Sequence, residues 1–208
     1  MKHGMISGAT NFTYDELCRS TTADAKGLSN NPTDEVLANL KTLAQRYLQP
    51  LRDHFGCQII INSAYRAPMV NKAVGGAPTS WHLKGCAADI RCPSAYVAVQ
   101  YANFFIDRFE KHGVGFDELF LGRSRKGGYW LHVSYSPTGD NRLRCQFIRQ
   151  GTGHSFRDRS VRQRFNKHKH KGRRRAAEGH RIVHQFLFHQ CRTAHGSEDF
   201  PDFIHARR

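Results

Sequence analysis

Two histidines and one aspartate in this sequence have the side chains and the spacing to share a metal ion. Six residues separate His82 from Asp89 within residues 80–91, and His132 follows within residues 129–135. Imidazole nitrogens and carboxylate oxygens are common zinc ligands. Two histidines and one carboxylate leave the fourth tetrahedral position open for water, which is typical of catalytic rather than structural zinc. Such a water can attack a carbonyl that the same ion polarises.

A structural interpretation of the three residues stays open at this point. Each histidine could be a buried core residue with its hydrogen bonds satisfied, and Asp89 could cap a turn. The residue types alone do not decide between a metal site and these structural roles.

The elements that must position the three residues follow from hydrophobic periodicity. Thr13 and Glu16 have the spacing of a capping box and predict a short helix. Residues 31–34 offer an N-cap, a proline at the first helical position and an early acid. An apolar stripe about four turns long continues from there to Leu51, before Gly56 breaks the pattern. It consists of Val36, Leu37, Leu40, Leu43, Ala44, Tyr47, Leu48 and Leu51.

The remaining segments alternate between short strands and helices. Residues 57–62 and 85–91 predict strands, and residues 67–74 predict a brief helix closed by two glycines. Ser94 is expected to cap a long helix that ends at Gly113. Strands follow at residues 116–121, 129–135 and 143–148, and we expect them to be antiparallel, with the candidate ligands at strand ends. Because the order lacks β-α-β regularity, the predicted fold class is α+β.

Composition predicts one folded domain with a basic extension. The 208 residues are 39% hydrophobic and carry a formal net charge of +15, so a core is possible while the surface attracts anionic partners. Residues 151–208 hold 14 Lys/Arg and 5 Asp/Glu. We therefore expect a domain at residues 1–150 and a basic, flexible tail at residues 151–208.

Compartment signals are few. The six cysteines form no CxxC pair and are expected to be mostly buried thiols. The first residues lack the apolar core of a signal peptide, and no stretch is apolar enough for a membrane span. Synthesis in the cytoplasm is expected, with no membrane span, and any export would need another route.

Several motifs occur together, in order, around the candidate ligands. These are Ser63-Ala-Tyr-Arg66, Pro68 with Val70-Asn71, Val74-Gly-Gly76, Ser80-x-His82-x-x-Gly85-x-Ala87-Ala88-Asp89-Ile90 and Trp130-Leu-His132-Val-Ser134. Together they resemble the M15 zinc peptidases, the D-alanyl-D-alanine carboxypeptidase group that includes phage endolysins. The resemblance covers roughly residues 11–148.

The resemblance implies a fold of the hedgehog/D,D-peptidase type, one zinc ion held by His82, Asp89 and His132, and cleavage of peptidoglycan stem peptides. It also implies that Arg66 orients a substrate carbonyl or carboxylate, a role that suits a planar, permanently charged guanidinium. Ser80 is expected to support His82 or touch substrate, or else only to cap a turn. For Trp81 and Trp130 the alternatives are cleft walls and packing.

The general base departs from the family pattern. Family members have an acid three residues before the last histidine, where this chain has Tyr129, a poor proton acceptor with a reference pKa of about 10. Some relatives place an acid near Gly122, and that position is also empty. Asp117 and Glu118 remain and, as neighbours on one strand, should face opposite sides. Glu118 is the candidate base.

Two functions follow from these observations. The first is a zinc-dependent carboxypeptidase or endopeptidase of peptidoglycan, with the tail bound to anionic wall polymers and the protein a monomer that acts at the wall once released. The second is a catalytically impaired zinc-binding protein of the same fold that binds cell wall or nucleic acid. The intact ligand set favours the first, and the missing base favours the second.

Overall fold

A computed structural model describes residues 4–149 and 155–157 of the chain. They form the predicted α+β fold, with a six-stranded sheet, a two-stranded sheet and flanking helices. The helices are α1 (Tyr14–Cys18), α2 (Thr21–Lys26), α3 (Asp34–Leu43), α4 (Gln49–Phe55), α5 (Pro68–Ala73) and α6 (Ala95–His112). The strands are β1 (Met5–Ile6), β2 (Ala9–Thr13), β3 (Ile61–Ser63), β4 (Ala87–Cys92), β5 (Glu118–Arg123), β6 (Tyr129–Ser134), β7 (Arg144–Arg149) and β8 (Ser155–Arg157).

The predicted capping box at the N-terminus is confirmed. The Thr13 hydroxyl accepts the backbone N–H of Glu16 at 3.1 Å, and the Glu16 carboxylate accepts the backbone N–H of Thr13. These two bonds satisfy N–H groups that a helix start leaves unpaired, so α1 begins immediately after β2.

The long apolar stripe forms one helical rod whose start differs from the prediction. Thr33, not Asn31, is the N-cap, and its hydroxyl accepts the backbone N–H of Val36 at 3.3 Å. Pro32 therefore lies before the helix instead of in its first turn. A π-helical segment, Ala44–Leu48, joins α3 to α4 immediately before Pro50, whose missing N–H disturbs the regular hydrogen-bond ladder. As predicted, Gly56 ends the rod.

The large sheet has the strand order β3-β4-β6-β5-β7-β8. Neighbours are antiparallel except β5 and β7, which are parallel. The expected antiparallel sheet is confirmed, except that β7 runs parallel to β5. This strand pairs with the free side of β5, because β6 already occupies the other side. The strand predicted at residues 57–62 is shorter than expected and begins only at Ile61.

The two faces of this sheet have opposite chemistry, because side chains alternate along each strand. One face is apolar and packs against α6, which begins at Ser94 and ends at Gly113 as predicted. Its central residues, Leu119, Leu121, Leu131 and Val133, are all buried. The opposite face carries Asp89, His132 and Glu118, brought side by side by the strand register.

Three further predictions concern boundaries, membranes and thiols. β8 pairs with β7, while residues 150–154 and 158–208, which include most of the predicted tail, lie outside the described residues. None of the helices in the described part of the chain has the length and apolarity to cross a membrane. Within the same part, Cys86, Cys92 and Cys145 are buried, Cys18 is partly buried and Cys57 is exposed.

Candidate metal centre

A cleft of about 1100 Å³ opens on the polar face of the sheet. His82, Asp89, His132, Glu118 and Arg66 all line it. The sequence therefore predicted a set of residues that the fold collects in one place. Residues 19–22 and 74–80 contribute further walls, together with side chains of β5, β6 and β7.

His82 reaches the cleft from a 3₁₀ turn, Trp81–Lys84, and not from the strand end that the sequence suggested. Ser80 caps this turn, since its hydroxyl accepts the backbone N–H of His82 at 3.3 Å. Gly85 ends the turn in the left-handed conformation, with φ at 69°. A Cβ on Gly85 would lie 3.0 Å from the Val36 carbonyl oxygen, so both the backbone conformation and the close packing on α3 favour glycine.

Asp89 and His132 are direct cross-strand partners on β4 and β6. His132 Nδ1 lies 2.8 Å from Asp89 Oδ1. His82 Nε2 lies 3.3 Å from the same Asp89 oxygen. Within the three residues, one possible ligand atom from each lies within 4.8 Å of the other two.

The hydrogen bonds of His82 favour a cation between His82 and Asp89. His82 Nδ1 lies 2.5 Å from the carbonyl oxygen of Ala64, which can only accept, so Nδ1 must carry the proton. In a neutral imidazole, Nε2 then presents a lone pair toward Asp89 Oδ1. Two acceptors that face each other at 3.3 Å repel unless a proton or a metal ion lies between them.

The protonation equilibria agree with a metal ion in that position. Burial lowers the pKa of His82 and outweighs the opposing effect of the Asp89 carboxylate. For Asp89, burial acts to raise the pKa, but the imidazoles of His82 and His132 outweigh it and hold the pKa well below its usual value. Neutral imidazole and ionised carboxylate are the forms that bind metals.

His132 offers a second sign of an incomplete site. Its Nε2 is buried and has no hydrogen-bond partner among the described residues. Buried polar atoms almost always have a partner, so an orphaned ring nitrogen in a cleft indicates a group that the protein atoms do not supply. Two imidazoles and one carboxylate suit zinc, and a zinc ion held there would supply Lewis acidity and an activated water.

Arg66 contacts the candidate ligand set directly. Its Nη2 donates to Asp89 Oδ2 at 2.5 Å, and its Nε donates to the Ser63 hydroxyl at 2.8 Å. The guanidinium therefore binds the carboxylate oxygen that does not face the imidazoles. Arg66 is mostly buried but still lines the cleft, so it can both orient Asp89 and present a positive charge to a ligand.

Glu118 is the carboxylate that the fold places beside the ligand set. Its Oε2 lies 3.9 Å from His132 Nε2. Its other oxygen, Oε1, accepts from Arg142 Nη2 at 2.8 Å and from Arg144 Nη1 at 2.9 Å. Two arginines thus bind one oxygen, while the second oxygen faces the imidazole.

The two positions where relatives carry an acid are occupied by packing residues. Tyr129 packs against the hydrophobic core, with the guanidinium carbon of Arg123 5.7 Å from its ring centroid. Gly122 lies beneath the indole of Trp130, which a Cβ at position 122 would overlap. Trp130 and Trp81 line the cleft, and Trp81 also packs against the core.

Three residues near the site, Arg142, Arg144 and Phe120, escaped the sequence reasoning, and Asp117 was named there only as an acid beside Glu118. Asp117 is 1% exposed and accepts the indole N–H of Trp81 at 2.5 Å. Arg142 and Arg144 bind Glu118, and Phe120 stacks on His132 with ring centroids 5.4 Å apart. The sequence signals available for these contacts were the adjacent acids Asp117 and Glu118, which need positive partners, and the two nearby arginines at positions 142 and 144. The expectation that Asp117 and Glu118 face opposite sides of one strand does not hold for their carboxylates. Asp117 lies just before β5, and Arg142 Nη2 donates to both acids.

The comparisons with known proteins agree with this geometry. A family model described as Peptidase M15 matches residues 10–118, just over half of the chain. No curated protein matches the chain significantly. The matched region contains Arg66, His82, Asp89 and Glu118, and the sheet adds His132 from outside it. M15 peptidases are zinc-dependent, and the buried His–Asp–His group can hold such an ion. The chain belongs to the peptidase M15 family.

Proposed function

We propose that the chain is a zinc-dependent peptidase that hydrolyses peptide bonds in peptidoglycan stem peptides, as a D,D-carboxypeptidase or an endopeptidase. The observation that carries the proposal is the pair of acceptors His82 Nε2 and Asp89 Oδ1, which face each other at 3.3 Å on the wall of a large cleft. Membership of a zinc peptidase family supports the reaction class. The peptidoglycan substrate follows from the resemblance described above.

Each residue of the site has a proposed role. His82, Asp89 and His132 hold one zinc ion, which supplies Lewis acidity and a water of lowered pKa when bound. Glu118 is the general base, because its Oε2 faces the ligand set across 3.9 Å while two arginines hold Oε1. Arg142 and Arg144 hold the Glu118 carboxylate in place through charge-assisted hydrogen bonds to Oε1.

Arg66 and Ser80 are proposed to meet the substrate. Arg66 lines the cleft and is already fixed by Ser63 and Asp89, so little conformational freedom remains to be lost when a substrate oxygen binds. Ser80 also lines the cleft and caps the His82 turn. A shift of Ser80 would therefore move both the proposed metal ligand His82 and the cleft wall.

The strongly basic remainder of the chain suggests where the enzyme acts. With 14 Lys/Arg and 5 Asp/Glu, residues 151–208 are proposed to bind anionic wall polymers without a specific pocket. We propose a monomer that is made in the cytoplasm and acts at the cell wall after release. Salt should weaken its wall binding, since screening acts on exposed charges.

The residue at position 129 supports the second candidate function, a zinc-binding protein without turnover. The position of the usual acid holds Tyr129, which packs against the core instead of facing the cleft. A family member that binds zinc but turns over no substrate, and binds cell wall or nucleic acid instead, would have the same ligand set. Activity with intact zinc content separates the two functions.

The test measures zinc and hydrolysis on one full-length sample. Bound zinc is quantified by elemental analysis, and purified peptidoglycan is digested and its muropeptides separated by mass. We expect one zinc per chain, together with released D-alanine for a carboxypeptidase or opened cross-links for an endopeptidase. His82→Ala should lose both zinc and activity, whereas His112→Ala, which changes an exposed histidine at the end of α6, should keep both.

Each negative outcome has a definite meaning. One zinc per chain without hydrolysis would reject the enzyme and leave the binding function. Absence of zinc, with His82→Ala indistinguishable from the wild type, would reject both functions.

A further inference from the structure

We propose that Asp117 is a positioning residue. Through Arg142 it holds the Glu118 carboxylate in a fixed position relative to the turn that carries His82. The inference rests on the proposed role of Glu118 as general base. Asp117 itself does not line the cleft, so it is expected to act only through the residues that it binds.

Asp117 is buried and densely hydrogen-bonded. The residue is 1% exposed. Its Oδ1 accepts the backbone N–H of Arg142 at 2.9 Å, and its two oxygens accept Arg142 Nε at 2.9 and 3.0 Å. Arg142 Nη2 adds a further bond at 2.5 Å. A carboxylate this buried is stable only when it is paired and hydrogen-bonded, and here Arg142 supplies the charge.

Arg142 connects Asp117 to the proposed base, Glu118. The same Nη2 that binds Asp117 Oδ2 also donates to Glu118 Oε1 at 2.8 Å. A guanidinium is a rigid planar fork, so fixing its Nε and one Nη fixes the direction of the remaining contact. The Arg142 side chain is 46% exposed, and without Asp117 it would be free to take other rotamers toward solvent.

Trp81 connects the same carboxylate to the metal ligands. Its indole N–H donates to Asp117 Oδ2 at 2.5 Å, and the next residue in the 3₁₀ turn is His82. One buried side chain therefore contacts the turn that presents a ligand and the arginine that holds the base. Catalytic groups need placement within a fraction of an ångström. Because Asp117 binds both Trp81 and Arg142, it fixes the position of the His82 turn relative to Glu118.

Main-chain hydrogen bonds hold the backbone of Asp117 itself, and an asparagine side-chain oxygen could still accept the Arg142 N–H. The Asp117 N–H donates to the Ser134 carbonyl at 2.7 Å, and its own carbonyl accepts the N–H of Arg144 at 2.9 Å. Strand β5 should therefore keep its pairing when the carboxylate is replaced by an amide. A loss of rate in such a variant would report side-chain positioning.

The experiment is a double-mutant cycle in the full-length, zinc-loaded chain, with peptidoglycan hydrolysis as the readout. Asp117→Asn should lower kcat about tenfold or more, with KM and zinc content nearly unchanged, because only the geometry of proton transfer is altered. Asp117→Asn added to Glu118→Gln should cause less than about a twofold further loss, because the group that it positions is already disabled. Asp107→Asn, which removes a surface carboxylate from α6, is the matched control and should behave like the wild type.

The outcomes separate this proposal from the one on which it rests. An inactive wild-type enzyme defeats the proposed function and this inference with it. An active wild type that needs Glu118, but whose kcat is unchanged in Asp117→Asn, defeats only this inference, as does an equal loss in both backgrounds. If Asp117→Asn does not fold, Arg142→Lys provides the same cycle, because lysine lacks the fork that reaches both carboxylates. A kcat within about twofold of the wild type in Arg142→Lys would again reject the inference.

Discussion

The carboxylate of Glu118 on β5 faces the imidazole of His132 on β6, with Oε2 3.9 Å from Nε2. The two residues come from adjacent antiparallel strands, two register positions apart on the same face. The candidate base therefore comes from the neighbouring strand, whereas the usual family acid precedes the last histidine on its own strand. Two arginines on Oε1 hold Glu118 in this direction.

Glu118→Asp tests whether this distance matters. Removal of one methylene withdraws the carboxylate from His132 while its charge is kept. We expect kcat to fall about 10- to 100-fold, since a misplacement of about 1 Å can have an effect of that size, with zinc content unchanged. Steady-state kinetics on a muropeptide and zinc analysis provide the check. The matched control is Glu35→Asp on the exposed part of α3, and activity equal to that control would remove Glu118 from the reaction.

Arg66→Lys tests the proposed substrate contact. Lysine keeps the positive charge but cannot bind Ser63 and Asp89 as a planar fork and present further donors to a substrate. We expect kcat/KM to fall roughly 10- to 100-fold, mainly through KM, since a bidentate contact contributes on the order of 1.5–3 kcal/mol. Zinc content should stay at one per chain. An unchanged KM together with lost zinc would mean that Arg66 only supports Asp89.

Gly122→Ala tests why no acid occupies this part of the cleft. A Cβ at position 122 would overlap the Trp130 indole, so the free energy of unfolding should fall by about 1–3 kcal/mol. Denaturant titration measures the change. Gly128→Ala is the matched control, because its nearest contact would be the Ser124 hydroxyl at 3.5 Å, and it should be neutral or slightly stabilising. Equal stability of the two variants would contradict the packing described here.

The pH dependence of stability tests the Asp117 network. Burial acts to raise the pKa of Asp117, but hydrogen bonds from Arg142 and Trp81 outweigh it and lower the pKa below the ordinary value of 3.8. The unfolded chain therefore binds a proton before the folded chain does. Stability from this carboxylate is fully present above pH 3.8 and is lost as pH falls through the lowered folded-state pKa.

Asp117→Asn should accordingly flatten the acid limb of the stability curve. Urea titrations of metal-free wild type and variant between about pH 5 and pH 3 would measure the slopes. Parallel curves for the two proteins would show that the folded-state pKa of Asp117 is not lowered.

The candidate ligands could be named from the sequence because the motifs around them are local. The spacing of His82 and Asp89 and the order of the motifs were visible there, and the fold brings the three side chains together. The α+β class and most helix ends followed from caps and periodicity, as at Thr13 and Gly113. The helix start at Thr33 was missed because Asn31 and Thr33 both carry side chains that can cap, and only the backbone geometry decides between them.

What the sequence did not predict depends on long-range pairing. The parallel pairing of β5 with β7 brings Arg144 beside Glu118, and no local pattern specifies which strand joins a free edge. The 3₁₀ turn of His82 resembled the start of a strand because glycine and apolar residues follow it. The Asp117–Arg142–Trp81 contacts join residues up to 36 positions apart, which spacing alone does not show.

The most direct test of the central claim compares wild type with Glu118→Gln for bound zinc and peptidoglycan hydrolysis in the same preparation. We expect one zinc per chain in both proteins and a loss of kcat of about 10²- to 10⁴-fold in the variant, since the amide keeps the shape but cannot accept the proton. A variant with bound zinc and the hydrolytic rate of the wild type would show that Glu118 is not the general base.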